Sequence, residues 1–306
     1  MIGARGPVLG AIGIAVLLTG CRDAVGPEPI LSGFRTIYGV LEVESPLVRV
    51  LAEEVMDTGG RQVLRGAHSV LSGAFGSTPL IEAAPGLGPC FVTYSPAFTG
   101  GEEGCYAGLL PEPVGGSTAL TLDMVLPDGS QVRGTLVTPE PPIARIPPDS
   151  QRVSVPFLNP PNPEDRQPIA IVPVILDAAP GGHRVDVVAK VARAFPSGRG
   201  GEEMDPRGCE VHASTAPFHA PELVGEHDWN LYRVLCCEGD SVVPWDSLDF
   251  DVHVISMEEN YAGYVNDVLG SNAIDATRAG FGLDGAVGVF GAVATTVLPL
   301  TVFRDR

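Results

Sequence analysis

Short stretches in which apolar and polar residues alternate make up most of this chain. The clearest covers residues 119–126, where every second side chain is apolar: Leu120, Leu122, Met124 and Leu126. The turn sequence PDGS follows it, and a second alternating stretch covers residues 131–139. Because successive side chains of a strand point to opposite faces, this pattern predicts a β-hairpin with one buried face.

The same pattern predicts further strands in both halves of the chain. Residues 34–43 and 48–55 form a first pair, and residues 169–191 contain two strands joined by a Pro-Gly-Gly turn. Residues 248–255 alternate again. The side chains predicted to point inward from that strand are Leu248, Phe250, Val252 and Val254, and those predicted to point outward are Asp249, Asp251 and His253.

Two stretches near the C-terminus depart from simple alternation. In residues 258–270, the apolar side chains fall on one face at steps of three and four, which predicts a short helix. Residues 285–303 carry no charge. Gly288, Gly291, Pro299 and many β-branched residues favour two buried strands there over a membrane span.

Five prolines in residues 138–150 rule out a central strand or a helix, since each fixes φ and lacks an amide donor. They predict a stiff linker at 139–150, in which Ile-Ala-Arg could pair at a sheet edge. The fold class is then mainly β. We expect two antiparallel β-sandwich-like domains of the immunoglobulin or fibronectin kind, at 33–138 and 151–306, with one or two short helices near the C-terminus.

The N-terminus has the order of an export signal. Arg5 is its only basic side chain, and an uncharged stretch of 14 residues follows, which is shorter than the roughly 20 residues of a membrane-spanning helix. It ends Leu-Thr-Gly-Cys, which resembles a bacterial lipobox. We expect a signal peptide at 1–20, lipidation of Cys21 and a polar tether at 21–32; the alternative is an ordinary secretory peptide with a chance cysteine.

The membrane is therefore an expected partner, through the N-terminal lipid. Known lipoprotein sorting implies a lipid-anchored protein of the cell envelope, at the outer membrane, because no Asp directly follows the cysteine. The formal net charge of −18 repels phosphate backbones, which excludes nucleic acid as an expected partner.

The remaining cysteines predict disulfides, since export leads to an oxidising compartment. Cys90 and Cys105 are expected to pair across a Gly-rich segment. Cys209 is expected to pair with Cys236 or Cys237, and the sequence does not choose between them; a strained bond between Cys236 and Cys237 is the alternative.

Potential metal ligands are densest between residues 209 and 237, where His212, His219 and His227 lie near the cysteines. Zinc would suit such donors, but the spacings match no standard finger, and exposed loop histidines are the preferred interpretation. The row Asp249, Asp251 and His253 is similarly interpreted as a solvated strand face. The sequence GFGLDG at 280–285 fits a dinucleotide motif only formally, because a strand pattern follows it; a turn is expected.

Common hydrolase and nucleotide-binding motifs are absent from the sequence, so we assign no catalytic residue, expect no cofactor and do not expect an enzyme. The order of LTGC, IYGVLEV, LPDGSQVRGTLVTPEPP, ENYAGYVND and LDGAVGVFGAV resembles the bacterial lipoproteins grouped as domain of unknown function 4249, which are often found beside outer-membrane receptors. The resemblance spans nearly the whole mature chain and supplies no catalytic residue.

Three functional hypotheses follow. The first is a non-catalytic accessory module that binds a ligand or partner, such as an outer-membrane receptor or another envelope protein. The second is a lipid-anchored metal-dependent or acid/base hydrolase that uses the region of His212, His219 and His227. The third is a structural or adhesive surface module.

Overall fold

The computed structural model describes residues 35–55, 61–83, 105–155, 168–178, 182–213, 218–219, 224–239, 241–270 and 280–304. These residues are mainly β, as the alternation predicted, and the described part of the chain contains a single α-helix. The signal peptide, Cys21, the tether and Cys90 lie outside the described residues.

Nine strands come from the first half of the chain. They are β1 (Arg35–Glu42), β2 (Leu47–Val55), β3 (Arg61–Val63), β4 (His68–Gly73), β5 (Gly76–Glu82), β6 (Cys105–Leu109), β7 (Ala119–Val125), β8 (Gln131–Val137) and β9 (Ile143–Arg145).

The second half of the chain supplies eleven strands and the α-helix. They are β10 (Arg152–Val155), β11 (Ala170–Ala178), β12 (Arg184–Pro196), β13 (Cys209–Ala213), β14 (Phe218–His219), β15 (Gly225–Glu238), β16 (Ser241–Val243), β17 (Trp245–Met257), α1 (Glu259–Gly270), β18 (Gly280–Phe281), β19 (Leu283–Asp284) and β20 (Val287–Arg304). Two single 3-10 turns, Pro148–Ser150 and Pro206–Gly208, precede β10 and β13.

A first hydrophobic core lies between two groups of strands. One group has the order β20-β1-β2-β6-β5, and the other has the order β5-β4-β7-β8-β19, so that β5 belongs to both. The predicted hairpin forms β7 and β8, which pair from Ala119 with Val137 to Val125 with Gln131. Its apolar row, including Leu122 and Met124, is buried in this core, which confirms the expected half-buried sheet.

A second core is built in the same way. One side has the order β14-β12-β17-β20, with β10 paired to the end of β20, and the other has the order β13-β15-β11-β9. The inward row predicted for β17, from Leu248 to Val254, is buried here beside Trp229 and Trp245. Both cores are therefore sandwich-like, which confirms the predicted fold class.

The two strands joined by the Pro-Gly-Gly turn belong to different sheets, because β11 pairs with β15 whereas β12 pairs with β17. The predicted linker contains β9, whose residues Ile143 to Arg145 pair antiparallel with β11. This is the edge pairing that the sequence suggested for Ile-Ala-Arg. Strand β9 pairs only with Ile175 to Ala178 of β11. Among the described strands, Pro173 therefore lies at a sheet edge, where its missing amide donor is tolerated.

The prediction of two strands in the terminal uncharged stretch was wrong, because β20 is one strand of 18 residues. Its first part pairs parallel with β1 up to Val293, and its second part pairs antiparallel with β17 from the same residue onward. Gly288 adopts a φ of +106°, and a Cβ there would lie 2.2 Å from the carbonyl oxygen of Ile37. This glycine therefore permits a close approach to β1 and does not end the strand.

Strand β20 contributes to both cores. Phe290 and Ala292 are buried in the first core, whereas Leu298, Leu300 and Val302 are buried in the second. The predicted domain boundaries stay a prediction. The pairing nevertheless shows that residues 287–293, from the far end of the chain, complete the sheet that begins with β1.

The predicted helix is present as α1, and it forms a third layer on the first sheet. Tyr261, Tyr264 and Val265 are buried against the side of the sheet that faces away from the first core. The sheet side chains beneath them include Tyr38 and Val289. The first part of β20 is consequently buried on both faces, which explains its continuous apolar sequence.

Candidate functional site

The structure describes part of the predicted cysteine chemistry. Cys209 and Cys236 form a disulfide between paired residues of β13 and β15, and Cys237 is a free thiol. The structure thus decides the choice that the sequence left open. Cys105 is also disulfide-bonded. Its predicted partner Cys90 lies outside the described residues, so that pairing stays a prediction, as does lipidation of Cys21.

The three histidines lie on strands, so the expected loop positions are wrong, and the side chains do not converge. His212 is exposed on β13 and lies 3.3 Å from the Glu210 carboxylate, measured between Nε2 and Oε1. His227 lies on β15. The residue of β15 that pairs with His212 is Arg233, six residues further along, which corresponds to ~20 Å along a strand. His219 is on β14, which belongs to the opposite sheet. No group of three potential metal ligands occurs among the described residues.

Asp249, Asp251 and His253 form a row on the outer face of β17, and basic residues lie beside its two aspartates. Arg193 Nη2 lies 2.6 Å from Asp249 Oδ2, and the Thr301 hydroxyl donates to Asp249 Oδ1 over 2.8 Å. Asp251 faces Lys190 in the register. Asp251 is exposed, whereas Asp249 and His253 are partly buried, so the expected solvated strand face is found only in part.

His253 completes the same row. Burial lowers the pKa of His253, and the charge of Lys190 lowers it further, against the opposite influence of Asp251 and Glu42. Both effects favour the neutral imidazole at neutral pH.

The sequence GFGLDG forms a turn, as expected, and no helix follows it: β18 and β19 are two residues each, and β20 comes directly afterwards. Gly282 has a φ of +67°, and a Cβ there would lie 2.1 Å from Asn260 Nδ2. That amide donates to the carbonyl oxygens of Thr135 and Phe290. The glycine therefore makes room for a contact between α1 and two strands, and the phosphate cradle of a dinucleotide motif is missing.

Glu258 lies at the N-terminal end of α1 and is 4% exposed. Its carboxylate accepts hydrogen bonds from the backbone amides of Asn260, over 2.7 Å, and Tyr261, over 3.1 Å. It therefore caps the helix in the manner of an acidic N-cap residue. Burial raises the pKa of Glu258 to about 7, because desolvation outweighs these hydrogen bonds and that from the Ala292 amide.

The other end of α1 is tied to the second sheet. Arg184 on β12 is 3% exposed and donates to both carboxylate oxygens of Asp186, over 2.7 and 3.1 Å. The same guanidinium donates to Asn266 Oδ1 of α1. The helix is thus bonded to β20 and β8 at its start and to β12 near its end, so it links strands of both cores.

An exposed face of the second core combines apolar and acidic side chains. Ile171, Pro173 and Ile175 form a row along β11, in which Ile171 is 53% exposed and Pro173 and Ile175 are half-buried. In the register, Pro173 faces Asp228 and Ile175 faces Glu226 on β15. We call these five residues the β11–β15 face. Because opposite residues of neighbouring strands have Cβ atoms about 5 Å apart, the acidic row directly borders the apolar one.

Sequence reasoning missed Glu258 and the β11–β15 face. An acidic residue just before an apolar helical pattern was the available signal for Glu258, since such residues commonly cap helices. The β11–β15 face had no local signal, because its two rows come from strands separated by about fifty residues of sequence.

No family model and no curated protein matches this chain. Among solved structures, it is similar to the Yersinia pseudotuberculosis adhesin InvE, with 14% identity and a TM-score of 0.23 over 72% of this chain and 55% of that chain. The fibronectin(III)-like modules of Clostridium thermocellum CbhA give 10% identity and a TM-score of 0.23 over 88% and 94% of the two chains. The FN1–FN3 domains of chicken CNTN1 give 10% identity and a TM-score of 0.17 over 92% of this chain and 68% of that chain.

This chain thus spans about half the length of the adhesin chain. The mainly β, sandwich-like architecture is itself compatible with a structural or adhesive surface module. Among the described residues, no helix has both the length and the apolar character needed to span a membrane.

Proposed function

We propose that this protein is a non-catalytic binding module of the bacterial cell envelope, held at the outer membrane by a lipid on Cys21. Its partner would be an outer-membrane receptor or another envelope protein. The general class is that of a structural or adhesive surface module, and partner binding is the specific role that we add.

The observation that carries this proposal is the exposed β11–β15 face. Its apolar row lies on a sheet that is fixed by the second core and by the Cys209–Cys236 disulfide, which joins β13 to β15. A binding surface on strands of a packed scaffold needs little ordering when a partner arrives, which favours association. The groups that the sequence offered for chemistry are instead ion-paired, as Asp249 is, or distributed over different strands, as the histidines are.

Site-specific photo-crosslinking in the native bacterium tests partner binding. A photoreactive amino acid at position 171 should give a discrete crosslinked product that contains another envelope protein. The matched control places the same amino acid at Thr121, which lies on an outer sheet face of the first core. Absence of any product from position 171, or the same product from both positions, would contradict the proposal.

A further inference from the structure

We infer that the β11–β15 face binds an amphipathic protein helix whose apolar side is bordered by lysine or arginine. This inference rests on the proposed function and adds the chemistry of the partner. It follows from the distribution of apolar groups and charge on this one sheet.

The apolar row is narrow and continuous. Ile171, Pro173 and Ile175 are alternate residues of one strand, so the row extends over ~14 Å. About nine residues of helix cover that length, which is two to three turns. On the neighbouring β9, Arg145 pairs with Ile175 at the end of this row, and Ile143, which is 59% exposed, pairs with Ala178 further along β11.

The charges on the two sides of the row differ. On the β9 side, Arg145 Nε lies 3.1 Å from Asp177 Oδ2, so these two charges offset each other. On the β15 side, Glu226 and Asp228 are exposed, and neither forms an ion pair within the described part of the chain. Two like charges two residues apart on a strand repel each other, and cationic side chains of a partner would relieve that repulsion.

The charge of the whole molecule argues against a second copy of this chain as the occupant. The full sequence carries 37 acidic against 19 basic residues, so two copies repel each other at long range. The same field accelerates the approach of a basic segment. A helix with lysine or arginine along one border of its apolar side matches both rows of the face.

Three fluorescent 18-residue peptides test this chemistry against the chain from residue 22 onward, which retains every described residue. A leucine/lysine amphipathic helix should bind, and its binding should weaken as salt rises. A leucine/glutamate helix of the same pattern and a serine/lysine peptide without the apolar side should both bind at least tenfold more weakly. Equal binding of either control peptide would overturn the inference.

Two pairs of variants locate the binding on the protein. Glu226→Gln/Asp228→Asn should weaken binding of the leucine/lysine peptide about tenfold, the effect of losing two partly exposed charge contacts. Glu202→Gln/Glu203→Gln removes the same charge from an exposed loop and should change binding less than twofold. Ile171→Ser should also weaken binding, whereas Val297→Ser, at a similarly exposed position on the opposite sheet, should not.

Equal affinities within each pair would overturn the inference even if the peptide binds, because binding would then follow net charge alone. Sedimentation that shows dimers held together by this face would overturn it as well. Crosslinking from position 171 separates the two proposals. If a partner is crosslinked but the protein shows no preference for the basic peptide, only the inference about the partner's chemistry is wrong. If position 171 gives no crosslink, the proposed function itself fails.

Discussion

Gly291 on β20 and Tyr261 on α1 approach so closely that a Cβ atom on the glycine would lie 2.7 Å from the Tyr261 Cβ. The Glu258 Oε1 atom would lie 2.9 Å from the same added atom. The first turn of α1 therefore packs directly on the backbone of β20. This contact places the helix at the residues where β20 changes its partner from β1 to β17.

We expect Gly291→Ala to reduce the free energy of unfolding by about 2 kcal/mol, because the added methyl group must push the helix away from the strand. Urea denaturation followed by circular dichroism measures the change. Gly115→Ala is the control, since nothing lies within 4 Å of a Cβ at that position. Equal stability of the two variants would contradict the close packing.

The stability of the protein should depend on pH through the titration of Glu258. Its pKa is raised to about 7 in the folded protein from an ordinary value of 4.5, so the folded state holds the proton more tightly. The resulting stabilisation is complete below about pH 4.5 and is lost as the pH rises through about 7. It amounts to about 3 kcal/mol at most, because one pKa unit corresponds to ~1.4 kcal/mol.

Urea denaturation at several pH values between 4.5 and 8 measures this dependence. Glu258→Gln should flatten the fall in stability over that range, because the amide does not titrate. Glu112→Gln, an exposed position, should retain the wild-type slope. If both variants retain the wild-type slope, the pH dependence of stability does not come from Glu258.

The buried ion pair of Arg184 should matter more than an exposed pair of the same kind. Arg184→Leu leaves the Asp186 carboxylate and Asn266 without their donor, and we expect a loss of about 3 kcal/mol of unfolding free energy. Arg207 pairs with Asp205 at the same sequence separation but is 89% exposed. Arg207→Leu should leave the urea midpoint unchanged, and a similar loss in both variants would contradict the role of burial.

Removing the Cys209–Cys236 disulfide should destabilise the protein. The bond spans 27 residues, and in the chain-entropy model a loop of that length contributes about 3.5 kcal/mol. We expect Cys209→Ser/Cys236→Ser to lower the thermal midpoint clearly, while Cys237→Ser leaves it nearly unchanged. Alkylation of the free thiol followed by peptide mapping without reduction checks the pairing, and fragment ions that place the alkylated cysteine at position 236 would contradict it.

Lipidation at Cys21 predicts a simple biochemical change. Cells supplied with an alkyne-bearing fatty acid should label the wild-type protein, and Cys21→Ser should abolish the label because the acceptor thiol is gone. Cys237→Ser keeps the predicted lipidation site and should be labelled normally. Persistent labelling of the Cys21→Ser protein would show that the lipid is attached elsewhere.

The local pattern determined several of the strands and the helix of this protein. The alternation in residues 119–126 and 248–255 correctly gave β7, β17 and their buried rows, and the apolar spacing in residues 258–270 gave α1. These predictions succeed because backbone geometry fixes the spacing of side chains on one face, whatever the rest of the fold does.

Tertiary structure alone decided how these elements combine. The glycines that suggested breaks in the terminal stretch instead allow β20 to approach Ile37 and α1, so one strand serves both cores. Tertiary structure also decided the pairing of Cys209 with Cys236 and the position of Ile171 beside an acidic row. These features depend on contacts between residues far apart in the chain, and local spacing carries no information about which distant strand becomes a neighbour.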